Sequence, residues 1–124
     1  MPGEPILIVD DNATNLKLAR VVLAGVGYEI RTATSADEAL AVLAGYRPRL
    51  ILMDIQLPGM DGLELTRRLK ADAATRDIVI VALTAYAMKG DDERARAAGC
   101  DGYVAKPIDP DTLPETVAAH LEAQ

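Results

Sequence analysis

Apolar residues in this chain gather into short unbroken runs, and between the runs they recur every three or four positions. Ile6-Leu7-Ile8-Val9, Leu50-Ile51-Leu52-Met53 and Ile78-Val79-Ile80-Val81-Ala82-Leu83 contain no polar residue, as strands buried on both faces require. Tyr28 to Thr32 and Gly102 to Ala105 read as two shorter strands. The segments between carry helix signals. Thr14 or Asn15 is expected to cap a first helix running to about Val26, with Gly27 as its stop. Ser35 followed by Glu38 forms a capping box for a second, closed by Gly45. A third runs from the loop Gln56 to Gly62 as far as about Ala71, and a fourth from roughly Met88 to Ala98, stopped by Gly99. A fifth follows Pro107 after an irregular first turn, since Pro114 does not belong deep inside a helix, and ends near Leu121. Five strand–helix units alternate without a linker. That predicts a single α/β domain over residues 1–124, with a parallel sheet covered by helices on both faces.

Composition narrows the function classes. With 124 residues there is enough chain for one proper core, and without Trp or Phe that core must be aliphatic. A net charge of −6 argues against unassisted binding to nucleic acid or an anionic membrane. No stretch reaches the ~18 consecutive apolar residues of a membrane span. The start, Met1-Pro2-Gly3-Glu4, has neither the basic nor the apolar region of a secretory signal and reads as a natural beginning. Cys100 is the only cysteine, so it has no internal disulfide partner and is expected to pack as a small apolar residue. A reduced, cytoplasmic setting is the default expectation.

The chemistry sits where the runs end. The first ends in Asp10-Asp11, the second in Asp54, the third in Thr84, and Tyr103-Val104-Ala105 ends in Lys106. Parallel strands deliver all these residues to one crevice, the place where open α/β sheets bind ligands. Singly, each is ordinary: Asp-Asp-Asn suits a turn or cap, and a loop lysine is commonplace. Asp54 is less so, because it closes the most apolar strand and would be partly desolvated unless paired or metal-bound. Three carboxylates and one ammonium leave a formal charge of −2, which calls for a compensating cation. Oxygen ligands with room for water suit Mg2+. A carboxylate nucleophile, a metal, a lysine and a hydroxyl donor are the parts of phosphoryl transfer.

With these residues in view, the chain resembles the receiver (response regulator) domain of two-component phosphorelays, in its stand-alone, DivK-like form. The landmarks are Ile8-Val9-Asp10-Asp11-Asn12, Leu52 to Gly62, Ala82-Leu83-Thr84-Ala85 and Tyr103-Val104-Ala105-Lys106-Pro107, and the likeness runs from Ile6 to about Leu121. The resemblance implies a flavodoxin-like doubly wound (βα)5 fold, a five-stranded parallel sheet in the order 2-1-3-4-5. It implies that Asp54 accepts a phosphoryl group from the phosphohistidine of a histidine kinase or phosphotransfer protein. It further implies that Asp10, Asp11, Asp54 and the carbonyl of Gln56 hold Mg2+, and that Lys106 pairs with Asp54 and then with the phosphoryl group. Thr84 and Tyr103 would act as the switch pair, and the bond before Pro107 would be cis. Such a domain is not an enzyme beyond promoting its own phosphorylation and dephosphorylation. Neither Gln56 nor Tyr86, beside the expected path of attacking water, is acidic, so dephosphorylation is expected to be slow.

A signalling change is expected on the face made by the fourth helix, fifth strand and fifth helix, acting on a downstream protein effector, in a monomer or a weak dimer through that face. The alternative outcome is that the chain passes its phosphoryl group on to a histidine phosphotransfer protein. In the first helix, Leu18, Val22 and Val26 share one side at ~100° per residue. Leu16 and Arg20 fall opposite them and are expected to be exposed as a docking patch for a kinase or phosphotransfer helix bundle. The main rival is a haloacid-dehalogenase-like aspartyl phosphohydrolase, for which Asp10-Asp11-Asn12-Ala13-Thr14 is a near miss that lacks the second Asp needed as general acid. A flavin carrier would need a phosphate-cradling first loop that is absent, and an unphosphorylated scaffold would not need an intact site. The absence of an output domain leaves open a receiver excised from a hybrid histidine kinase.

Overall fold

The computed structural model describes residues 3–57, 60, 62–84, 90–106 and 108–122, with the side chains of residues 91 and 92 excepted. The apolar runs form the strands β1 (Pro5–Val9), β3 (Leu50–Asp54) and β4 (Val79–Thr84); β2 (Glu29–Ala33) and β5 (Gly102–Ala105) are the flanking ones. Between them lie α1 (Ala13–Gly25), α2 (Ala36–Leu43), α3 (Gly62–Ala71) and α4 (Asp91–Ala98), and α5 (Leu113–Glu122) ends the succession. All pairings are parallel and the strand order is β2-β1-β3-β4-β5, the flavodoxin-like arrangement.

The strand period of two divides the core into two layers. Leu7, Val9, Ile51, Met53, Ile80 and Ala82 face one way, toward the buried residues of α2, α3 and α4. Ile6, Ile8, Leu50, Leu52, Val79, Val81 and Leu83 face the other, toward α1 and α5. Every residue of β3 and β4 is buried, which is why neither strand tolerates a polar residue before its last position. Ser35 caps α2 through its side chain, with the Glu38 N–H as donor at 3.1 Å. Pro114 stands second in α5, after a turn over 110–112.

Two expectations for the first helix are corrected. Its cap is Asn12, not Thr14 or Asn15: the Asn12 side chain accepts from the Asn15 N–H at 3.0 Å. Leu16 is not exposed either. It is 9% accessible and forms the buried stripe of α1 with Ala19 and Leu23. Leu18 and Val22 pack along the flank of that stripe, Arg20 faces solvent, and the exposed apolar residues of this region are Val21 and Val26. Helix geometry explains the outcome, because residues three and seven apart share a face as readily as those four apart.

Candidate functional site

Parallel register carries the ends of β1, β3, β4 and β5 to one edge of the sheet. Val9 pairs with Met53 and Asp54 with Leu83, so Asp10 and Asp54 emerge beside each other from adjacent strands. Asp10 is fully buried, Asp54 is 2% accessible, and Asp11 is exposed. One carboxylate oxygen from each of the three lies within 4.8 Å of the others.

The two buried carboxylates are held alike. Asp10 Oδ1 accepts the Asn12 N–H and Asp54 Oδ1 accepts the Gln56 N–H, each at 2.9 Å. These are Asx turns, in which a side chain bonds the backbone two residues on. Each carboxylate is thereby fixed in rotation, and both Oδ2 atoms come to Lys106 Nζ. The ammonium donates to Asp54 Oδ2 at 3.0 Å and stands 3.2 Å from Asp10 Oδ2. The Asp10 contact is an ion pair without a well-aligned hydrogen bond among the described residues.

Electrostatics follow from burial. Loss of solvent pushes the Asp54 carboxyl above its ordinary 3.8; the Gln56 N–H and Lys106 oppose that rise, and the Asp10 charge adds to it. Burial works against the Lys106 ammonium, but its bond to Asp54 and the charges of Asp54 and Asp10 outweigh this and raise its pKa.

Thr84 ends β4, is 2% accessible, and its carbonyl accepts the Lys106 N–H at 2.7 Å. Tyr103 lies on β5, 37% accessible. Tyr86, Met88 and Pro107, and with them the expected cis bond, lie outside the described residues, as do Pro58, Gly59 and Asp61. Gln56 is exposed, and its backbone N–H is taken by Asp54.

One residue of the site went unassigned in the reading of the sequence. Gly62 begins α3, and a Cβ there would overlap the backbone oxygen of Asp54 and fall 2.8 Å from Ile55 Cα. The helix therefore starts against the strand end that bears Asp54. A glycine at the start of a helix is the signal that could have marked it, since this type is favoured where backbones meet closely.

The donor set suits a hard divalent cation. It is all oxygen, one of its atoms (Asp10 Oδ2) is buried without an aligned donor, and exposed Asp11 leaves room for water.

Comparison with known proteins agrees with this geometry. The profile of the response regulator receiver domain matches residues 6–118. The polar-differentiation response regulator DivK of Brucella anthropi is 47% identical over 116 residues, 94% of each chain. A putative response regulator from Chloroflexus aurantiacus superposes with a TM-score of 0.92 at 35% identity, covering 97% of this chain and 98% of that one. The chemotaxis response regulator CheY4 of Vibrio cholerae does so with a TM-score of 0.90 at 28% identity, covering 95% and 98%.

Proposed function

We propose, from the premise that the chain belongs to the response regulator receiver domain family, that it is a phosphorylation-dependent switch whose acceptor is Asp54. The supporting observation is the pairing of one buried carboxylate with one ammonium at 3.0 Å, beside two further carboxylates. In the proposed reaction an Asp54 carboxylate oxygen attacks the phosphorus of a phosphohistidine. An O–P bond forms as the P–N bond breaks, and the leaving imidazole nitrogen keeps the electron pair.

Asp10, Asp11, Asp54 and the Gln56 carbonyl would hold Mg2+, which when bound supplies positive charge against the incoming phosphoryl oxygens. The chain's own residues do the rest. The Gln56 N–H holds Asp54 in one orientation, so that its other oxygen is the one presented. Lys106, already at that oxygen, is placed to accompany the charge as it moves onto the phosphoryl group. The new group adds about 1.5 to 2 negative charges and fresh acceptor oxygens. Thr84 gains a phosphoryl partner only in that state, so phosphorylation biases any equilibrium to which Thr84 and Tyr103 couple.

The face of α4, β5 and α5 is the proposed output, toward a protein effector. Its helix α4 is preceded by Gly90, which offers no side-chain cap, and among its described side chains it buries only Ala95 and Ala98. The proposed donors are a histidine kinase or phosphotransfer protein, docking on α1, whose exposed Lys17, Arg20 and Val21 carry no acidic neighbour within that helix. Borohydride cleavage of the phosphorylated protein tests the acceptor, since it converts an acyl phosphate to homoserine at the residue that bore it. Homoserine at position 54 is expected; at position 10 it would favour a phosphohydrolase instead.

A further inference from the structure

The strand that delivers Lys106 is the least self-sufficient in the sheet. β5 has four residues, lies at an edge and pairs only with β4. Gly102 brings no side chain, Tyr103 and Ala105 are exposed, and Val104 alone packs on the core. A strand with so little apolar pattern has a weakly determined register. Yet register decides the function of Lys106. A slip of one residue would move it ~3.3 Å and turn its side chain to the other face of the sheet, away from Asp54.

A polar clamp at the start of β5 supplies what the apolar pattern lacks. Asp101, just before the strand, bonds Ile80 twice: its N–H donates to the Ile80 carbonyl at 2.7 Å, and its Oδ2 accepts the Ile80 N–H at 2.9 Å. That oxygen also accepts from Lys70 Nζ at 3.0 Å. Lys70, from the last turn of α3, donates as well to the carbonyls of Ile78 at 2.8 Å and Arg76 at 3.2 Å, so its ammonium is tied to the backbone leading into β4. Its stem crosses Gly99, where a Cβ would fall 2.8 Å from Lys70 Cγ and where φ is +110°, a conformation side chains disfavour. The chain thus leaves α4 over a bare glycine, passes under Lys70 and enters β5 with its carboxylate locked to β4.

We infer that Asp101, held by Lys70, is the positioning residue for Lys106: it fixes β5 against β4 so that the ammonium arrives at the Asp54 carboxylate. Neither residue touches the reacting atoms. The clamp pins the first end of the strand, and the Lys106 N–H bond to the Thr84 carbonyl pins the other. This rests on the reading of Lys106 as the phosphoryl clamp, and deepens it.

The test compares Asp101→Ala, Lys70→Met and Lys70→Arg in the full chain. Three quantities are measured: phosphorylation by acetyl phosphate with Mg2+, Mg2+ affinity by calorimetry, and amide exchange at Lys106. Asp101→Ala should slow phosphorylation roughly tenfold, Lys70→Met about threefold, and Lys70→Arg hardly at all, by the sensitivity of reactions to small misplacements. Amide exchange at Lys106 should rise in the first two variants. Mg2+ affinity should not weaken, because its carboxylates come from the turn after β1 and from the end of β3; general loosening would weaken it. The double variant Asp101→Ala/Lys106→Met should be no slower than Lys106→Met alone, because one change acts through the other. Wild-type phosphorylation with an unchanged Lys106 amide in Asp101→Ala, or deficits that multiply in the double variant, would overturn the inference. Should Asp101→Ala fail to fold, Asp101→Asn keeps the backbone bond, drops the ion pair and carries the same exchange measurement. If the wild type accepts no phosphoryl group, the proposed function falls, while the exchange result still decides on the clamp.

Discussion

Replacing Lys106 with Met removes an ammonium that the buried Asp10 and Asp54 share, at 3.2 and 3.0 Å. The methionine fills a similar volume, so the perturbation is chiefly one of charge. At an effective permittivity near 20, a unit pair 3 Å apart attracts by about 5 kcal/mol before desolvation is subtracted. Breaking a buried pair by deleting one partner costs about 3–5 kcal/mol. The lysine side chain is 17% accessible, so water screens part of this and the lower end, about 3 kcal/mol, applies. For a chain of 124 residues that lowers the melting temperature by roughly 10 °C. The assay is thermal unfolding followed by circular dichroism in EDTA, repeated with Mg2+, which should restore more stability to the variant than to the wild type. The pH profile has a definite sign. Because the folded pKa of Lys106 lies above its ordinary 10.5, its stabilisation is complete below 10.5 and is lost as pH rises through the folded value. Adding Asp54→Asn to Lys106→Met should recover stability by removing one of the crowded charges. A Lys106→Met protein that melts in EDTA with the wild type would refute the reasoning.

Other consequences are equally open to measurement. Leu16→Ala should cost about 2–3 kcal/mol in urea unfolding, as a cavity in the α1 layer, rather than leave a stable protein with a selective defect in partner binding. Gly62→Ala should destabilise by about 1–3 kcal/mol through overlap with the Asp54 backbone, and slow phosphorylation as well; wild-type behaviour in both respects would show that α3 yields freely. The Cys100 thiol, 7% accessible and with its pKa pushed above 9.0 by burial, should resist alkylation at pH 8 until the chain unfolds, and prompt labelling of the native protein would contradict its placement.

The parts of the molecule that could be read from residue order are those governed by short range or by simple period. Unbroken aliphatic runs identified β1, β3 and β4, because a strand buried on both faces has no polar position to offer. Asp10 and Asp54 could be placed together because parallel strands end on one edge, and Asx turns then fix both carboxylates by contacts two residues long. Leu16 was misplaced because α1 carries two overlapping apolar stripes, Leu16-Ala19-Leu23 and Leu18-Val22-Val26. Periodicity alone does not rank them; packing on β1 and α5 does. Asn12 lies within three residues of the two expected caps, close enough that only backbone geometry separates them. Gly62 and the Lys70–Asp101 clamp were out of reach for another reason: the first depends on how the loop after β3 brings α3 back onto the Asp54 backbone, and the second joins segments 31 residues apart.

One mass spectrum bears most directly on the account. Incubated with acetyl phosphate and Mg2+, the wild-type protein should gain a single PO3 unit, and Asp54→Asn should gain none. No gain by the wild type, or an equal gain by Asp54→Asn, would mean that the buried carboxylate at the end of β3 is not the acceptor.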